Sequence, residues 1–109
     1  MNQELQDRLF KKYPKIFIQK DLSPSETCMC YGIDCGDGWY SLIDSLCSKL
    51  QQYTRISKIA VEAKQVKSKL GGLRFYTDCD DDYVKGLVAM AREISFIIDE
   101  HISIDAIDI

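Results

Sequence analysis

Histidine is nearly absent from this chain of 109 residues: His101 is the single example, far in sequence from every cysteine. With it go the residues on which most hydrolytic and metal chemistry is built. There is no Ser/His/Asp set, no histidine pair at metal-ligand spacing and no Walker loop, so an enzyme is not expected. Long apolar runs are missing too, and none approaches the length that crosses a membrane. The opening Met1-Asn2-Gln3-Glu4 is polar and does not read as a signal peptide, so the expectation is a cytoplasmic protein without membrane contact. The five cysteines (Cys28, Cys30, Cys35, Cys47, Cys79) are an odd number without a secretory leader, which argues against a disulfide framework. Cys28, Cys30 and Cys35 cluster, but no Cys-x2-Cys pair exists, and structural zinc takes four ligands at recognisable spacing. Reduced, metal-free cysteines and no cofactor are expected.

Cationic excess is lacking as well. The net charge of −3 disfavours general nucleic-acid binding, whose affinity comes mostly from phosphate neutralisation. The distribution is less even than the sum. Between positions 55 and 74 stand Arg55, Lys58, Lys64, Lys67, Lys69 and Arg74 against Glu62 alone, a local +5 that leaves −8 for the rest. The chain is acidic with one basic island.

That island centres on Val66-Lys67-Ser68-Lys69-Leu70-Gly71-Gly72-Leu73-Arg74-Phe75-Tyr76. Gly-Gly between two short mixed runs is a hairpin signal, because both residues of a type I′ turn need φ > 0. With Gly71 and Gly72 as the loop, Leu70 faces Leu73, Lys69 faces Arg74, Ser68 faces Phe75 and Lys67 faces Tyr76. Alternation puts Val66, Ser68, Leu70, Leu73 and Phe75 on a core face, and Gln65, Lys67, Lys69, Arg74 and Tyr76 on the other. Cations directly opposite each other repel, by a few tenths to about 1 kcal/mol. An anionic ligand or acidic partner turns that repulsion into attraction, with arginine offering a planar fork. The plainer reading is a solvated face with both side chains in water.

The remaining elements read in order. Residues 2 to 13 form a short helix capped by Asn2, with Leu5, Leu9, Phe10 and Tyr13 as its stripe and Pro14 as its stop. Ile16 to Ile18 anchor a loop, and Met29 to Asp34 suggest a brief edge strand. Asp37 reads as the N-cap of the strongest helix, where Trp39, Leu42, Ile43, Leu46, Cys47, Leu50 and Tyr53 recur on one face. Gly36-Asp37-Gly38 is either that capped entry or a ligand loop at a helix start. A bulge between Ala63 and Gln65 reconciles the phase of Val61 and Ala63 with that of Val66. Asp78 and Asp80 to Asp82 read as a helix start rather than as metal ligands of a phosphodiesterase. The helix they open is expected from Tyr83 to Glu100, with Val84, Leu87, Val88, Ala91, Ile94 and Ile98 inward. Met90, Phe96 and Ile97 widen its stripe, as in a helix touching two neighbours or a second chain, so a homo-oligomer stays open. His101 is read as a capping or core residue, and 102–109 as a final strand. The fold class is α+β: one domain, residues 1–109, with a central antiparallel hairpin packed on two or three helices in α-α-β-β-α order.

Three stretches together carry a resemblance: Tyr13-Pro14, Cys35-Gly36-Asp37-Gly38-Trp39 with Leu42-Ile43, and Gln65-Val66-Lys67-x-Lys69-x-Gly71-Gly72-Leu73-Arg74-Phe75-Tyr76. They resemble a family of small proteins encoded in bacteriophages and prophages, over most of residues 8 to 76. Its members carry no established biochemical activity. Many look longer at the C-terminus, with a cysteine pair like a zinc ribbon, where this chain has an Ile/Asp tail instead. The resemblance implies a phage accessory protein in the cytoplasm of the host bacterium, of the kind that counters host defence.

Two functions follow for such a protein. In the first, a non-enzymatic binder sequesters a small anionic, nucleotide-like signalling molecule. Lys67, Lys69 and Arg74 meet phosphate, Tyr76, Trp39 or Tyr40 stack a base, and Asp37 belongs to the turn that completes the site. In the second, the same face docks on an acidic patch of a host defence protein, anchored by Arg74 and the tyrosines.

Overall fold

The computed structural model describes residues 1–104. It is an α+β unit in which a small mixed sheet is covered on one face by helices. Helix α1 runs Gln3–Lys12, and Asn2 caps it by accepting the Leu5 N–H at 2.9 Å. Leu5, Leu9 and Tyr13 are buried, and the Tyr13 hydroxyl reaches Asp44 Oδ1 at 2.5 Å on the next helix. Strand β1 is only Ile33–Asp34, preceded by a 3-10 turn at Met29–Tyr31, so the expected edge strand is shorter than its sequence signal. A 3-10 turn at Asp37–Trp39 leads into α2, Tyr40–Ser57, whose buried face is Leu42, Ile43, Leu46, Cys47 and Leu50.

Strand β2, Ala63–Lys69, and β3, Gly72–Thr77, form the hairpin, and the sheet order is β1-β2-β3. β1 lies parallel to β2, and β2 antiparallel to β3. The bulge is where the phase required it, between Ala63 and Gln65. Lys64 is its extra residue, and the Lys64 carbonyl accepts the Thr27 hydroxyl at 3.2 Å.

The turn differs from the sequence reading. Leu70 and Gly71, not Gly71 and Gly72, are the loop residues, with φ of 53° and 80°. Every cross-strand partner therefore shifts by two: Lys69 faces Gly72, Ser68 faces Leu73, Lys67 faces Arg74 and Val66 faces Phe75. Packing decides this. A Cβ on Gly72 would lie 2.7 Å from the Phe96 ring, so the glycine is held in the strand by a close approach, and the turn moves back one residue. Leu70 leaves the core face and is 88% exposed at the tip, while Val66, Leu73 and Phe75 stay buried.

Helix α3, Asp82–Ser95, is shorter than its apolar pattern suggests. Asp81 is its cap, accepting the Tyr83 and Val84 N–H groups, and the Tyr53 hydroxyl adds a third hydrogen bond at 2.8 Å. Those bonds, the tyrosine's first, hold the Asp81 carboxyl below the usual carboxylate range. Past Ser95 the backbone tightens into i→i−3 bonds from Phe96, Ile97 and Ile98, which turns the chain back towards α2. Ile94, Phe96 and Ile97 are consequently on the surface. His101 is likewise exposed, and Ile102 to Ile104 form no strand. Residues 105–109 of the expected final strand lie outside the described residues.

A leucine with φ of 53° is held in a region that disfavours branched L-residues by roughly 1 kcal/mol, and its exposed side chain returns little. Leu70→Asn, which gives the Asn-Gly pair preferred in this turn, is expected to raise stability by about 0.5–1 kcal/mol, read as a higher urea midpoint at unchanged slope.

Candidate functional site

The outer face of the hairpin gathers the cations. Lys67 and Arg74 are direct cross-strand partners, and Asp34 of β1 is the partner of Lys67 on its other side. The row across the sheet thus runs from an acid through two bases. Asp34 is the register partner of Lys67 but forms no ion pair with it. Among the described residues, none of Lys67, Lys69 and Arg74 forms an ion pair with a carboxylate. Arg74 is half-buried, and its Nε is enclosed without a hydrogen-bond acceptor. Such a buried, unpaired donor is unfavourable by about 1–3 kcal/mol. Tyr76, two residues on, is exposed on the same face.

Two concavities flank Tyr76. One, of about 640 Å³, runs between β3 and α3 and includes Arg74, Gly86 and Met90. The other, of about 390 Å³, lies beside the Pro24–Cys28 loop and includes Lys64 and Gln65. On the sheet face between them Gln65, Lys67 and Arg74 are half-buried, and the Phe96 ring lies over Gly72.

Three residues assigned to this site by sequence are elsewhere. Trp39 is buried, and its indole N–H donates to the Ile98 carbonyl at 2.9 Å, so it cannot stack a base. Tyr40 is buried in the core at the start of α2. Asp37 does not cap α2: its two carboxylate oxygens accept from Asn2, the backbone N–H at 2.7 Å and the side-chain amide at 3.0 Å. The acid joins the start of α1 to the start of α2.

The Gly36-Gly38 turn does hold a carboxylate, but the chain's own. Glu100 Oε2 accepts the Gly36 N–H at 2.9 Å, Oε1 accepts the Ser68 hydroxyl at 2.5 Å, and the Glu100 carbonyl accepts the Gly38 N–H at 2.8 Å. A Cβ on either glycine would fall 2.0 Å from a carbonyl oxygen of Asp99 or Glu100. The glycines permit close backbone approach, as expected, and the approaching group is the segment after α3. Sequence reasoning missed Glu100 and Ser68. Ser68 gave a signal, a hydroxyl amid apolar core-face neighbours, whereas Glu100 is 64 residues from Gly36 and gave none.

The cysteines are dispersed. Burial pushes the Cys35 thiol up to about 12 and raises Cys47 further, while Cys28 is exposed. Among the described residues no three Cys, His, Asp or Glu side chains converge as a metal site. No family model, curated protein or solved structure compared with this chain matches it.

Two outcomes follow. Glu100→Ala strands the Gly36 N–H and the Ser68 hydroxyl, and is expected to destabilise by about 2–3 kcal/mol in denaturant unfolding, with Glu100→Gln intermediate. Thiol labelling of the folded protein at neutral pH is expected to modify Cys28 first and to reach Cys35 and Cys47 only on unfolding.

Proposed function

We propose that this chain is a non-enzymatic binding module, a phage accessory protein that counters host defence by docking its outer hairpin face on an acidic surface of a host protein. The observation that supports this best is Arg74. Its guanidinium stands opposite Lys67, without a carboxylate partner among the described residues and with its Nε enclosed and unbonded. An incoming carboxylate pairs with the terminal guanidinium nitrogens, which unlike Nε are not enclosed, and relieves the cross-strand repulsion. Tyr76, exposed beside Arg74, supplies the aromatic and arginine pairing common at interface anchors.

Sequestration of a small anionic, nucleotide-like signal is the second reading. It is favoured by the groove of about 640 Å³ alongside Arg74 and Tyr76, a volume in the range of small-molecule sites. Without Trp39 and Tyr40, the stacking role in that reading falls to Tyr76 alone.

Arg74→Ala is expected to weaken partner binding at least ~10-fold, since charged hydrogen bonds contribute about 1.5–3 kcal/mol. Arg74→Lys should restore only part of it, because the two-pronged contact is lost. Co-purification with a host protein, released by moderate salt, supports docking. A nucleotide-like compound found by mass spectrometry after denaturing the purified protein supports sequestration. If Lys67→Ala with Arg74→Ala keeps full activity in infected cells at an unchanged melting temperature, the face is merely solvated surface.

A further inference from the structure

The two edges of the sheet are treated differently. At β1, Gln6 Oε1 accepts the Ile33 N–H at 2.9 Å, and the Met1 nitrogen donates to the Ile33 carbonyl at 3.2 Å, so that edge is closed. At β3, the hydrogen-bonded pairs with β2 fall at Gly72, Arg74 and Tyr76, which turns the backbone groups of Leu73, Phe75 and Thr77 outward. The Leu73 N–H confirms the phase: it is bonded to Ser95 Oγ of α3, at 2.9 Å. Beyond that point α3 stands away from the strand, and the groove opens along Phe75 to Thr77. Its helix wall carries no side chain at Gly86, where an added Cβ would meet nothing within 4 Å.

From this we infer that the groove between β3 and α3 receives an extended segment of a partner protein, one with alternating apolar and acidic residues, which adds to β3 as a fourth strand. The partner's chemistry follows from the two faces of that added strand. Residues on its outer face lie beside Arg74, whose terminal nitrogens are not enclosed and form no ion pair among the described residues, with Lys67 one strand further on. A carboxylate belongs there. Residues on its inner face lie over Gly86, Val88 and Met90, where a small or branched apolar side chain fits. The Phe75 N–H and carbonyl then gain main-chain partners, the usual source of affinity in strand addition. An unprotected edge is normally blunted by charge, proline or a bulge, and here the bulge lies on β2 instead. This rests on the reading of the hairpin as a docking surface for an acidic protein, and it names how that protein is held.

The test uses the full chain and a synthetic peptide of alternating valine and glutamate, followed by backbone amide spectra. Saturable shifts of the Phe75 and Thr77 amides are expected, with an affinity on the order of 100 μM. Of the two peptides N-methylated at alternate residues, the one methylated on the N–H groups that face β3 should not bind, and the other should. Gly86→Leu fills the groove from an open position in a helix, so it should weaken binding at least ~10-fold while the melting temperature holds or rises. Three results overturn the inference: no shifts at millimolar peptide, shifts indifferent to both N-methylation and Gly86→Leu, or Phe75 and Thr77 amides already protected in the protein alone. In the last case, loss of protection on dilution assigns the groove to a second copy, and loss on truncation after Ile104 assigns it to the chain's own tail. The docking reading fails separately: it falls if Lys67→Ala with Arg74→Ala keeps full activity in infected cells, whatever the peptide does.

Discussion

The register of one hairpin decides what this protein presents to its surroundings. Leu70 and Gly71 both turn through positive φ, and Gly72 is held in the strand by the Phe96 ring. Because side chains alternate every residue along a strand, that turn fixes Lys67 against Arg74 and Val66 against Phe75. It also fixes which main-chain groups of β3 face outward. Moving the turn by one residue, to Gly71 and Gly72, would shift each partner by two: both faces would keep the same amino acids, yet every pairing and every edge donor would change. The hydrogen bond from Leu73 to Ser95 then ties the register to α3, so strand pairing and helix docking depend on each other.

Helix and strand types follow plainly from residue patterns here, and tertiary contacts do not. The α2 stripe from Trp39 to Leu50 is legible because its 3.6-residue period is strict and its burial complete. The bulge at Lys64 is legible because period-2 alternation breaks there. Two apparent signals misled for a common reason. Gly-Gly looked like the turn because glycine suits positive φ, but Gly72 is required for proximity to an aromatic ring instead. The apolar stripe of α3 continued past Ser95, but the chain leaves the helix so that Ile98 and Glu100 can bond the Gly36–Trp39 segment. In both places a partner distant in sequence overrides local preference.

The candidate site divides the same way. Lys67, Lys69, Arg74 and Tyr76 were found together because strand alternation places them on one face without any long-range knowledge. Asp37, Trp39 and Tyr40 were assigned by residue type, and each turned out to be used inside the fold. An acid, an indole N–H and a phenol suit a binding site and a helix junction equally well. Only the position of the neighbouring backbone separates the two uses.

Glu100 gives the Gly36-Gly38 turn a permanent occupant. The turn has what an anion site needs, two backbone donors and room for close approach, but the Glu100 carboxylate takes the Gly36 N–H and the Glu100 main-chain carbonyl takes the Gly38 N–H. A tether of this kind acts as an effective concentration, on the order of millimolar for a flexible linker and higher when the intervening chain is folded. An external carboxylate or phosphate must therefore displace a ligand that cannot diffuse away. The turn is thereby reserved for assembly of the fold.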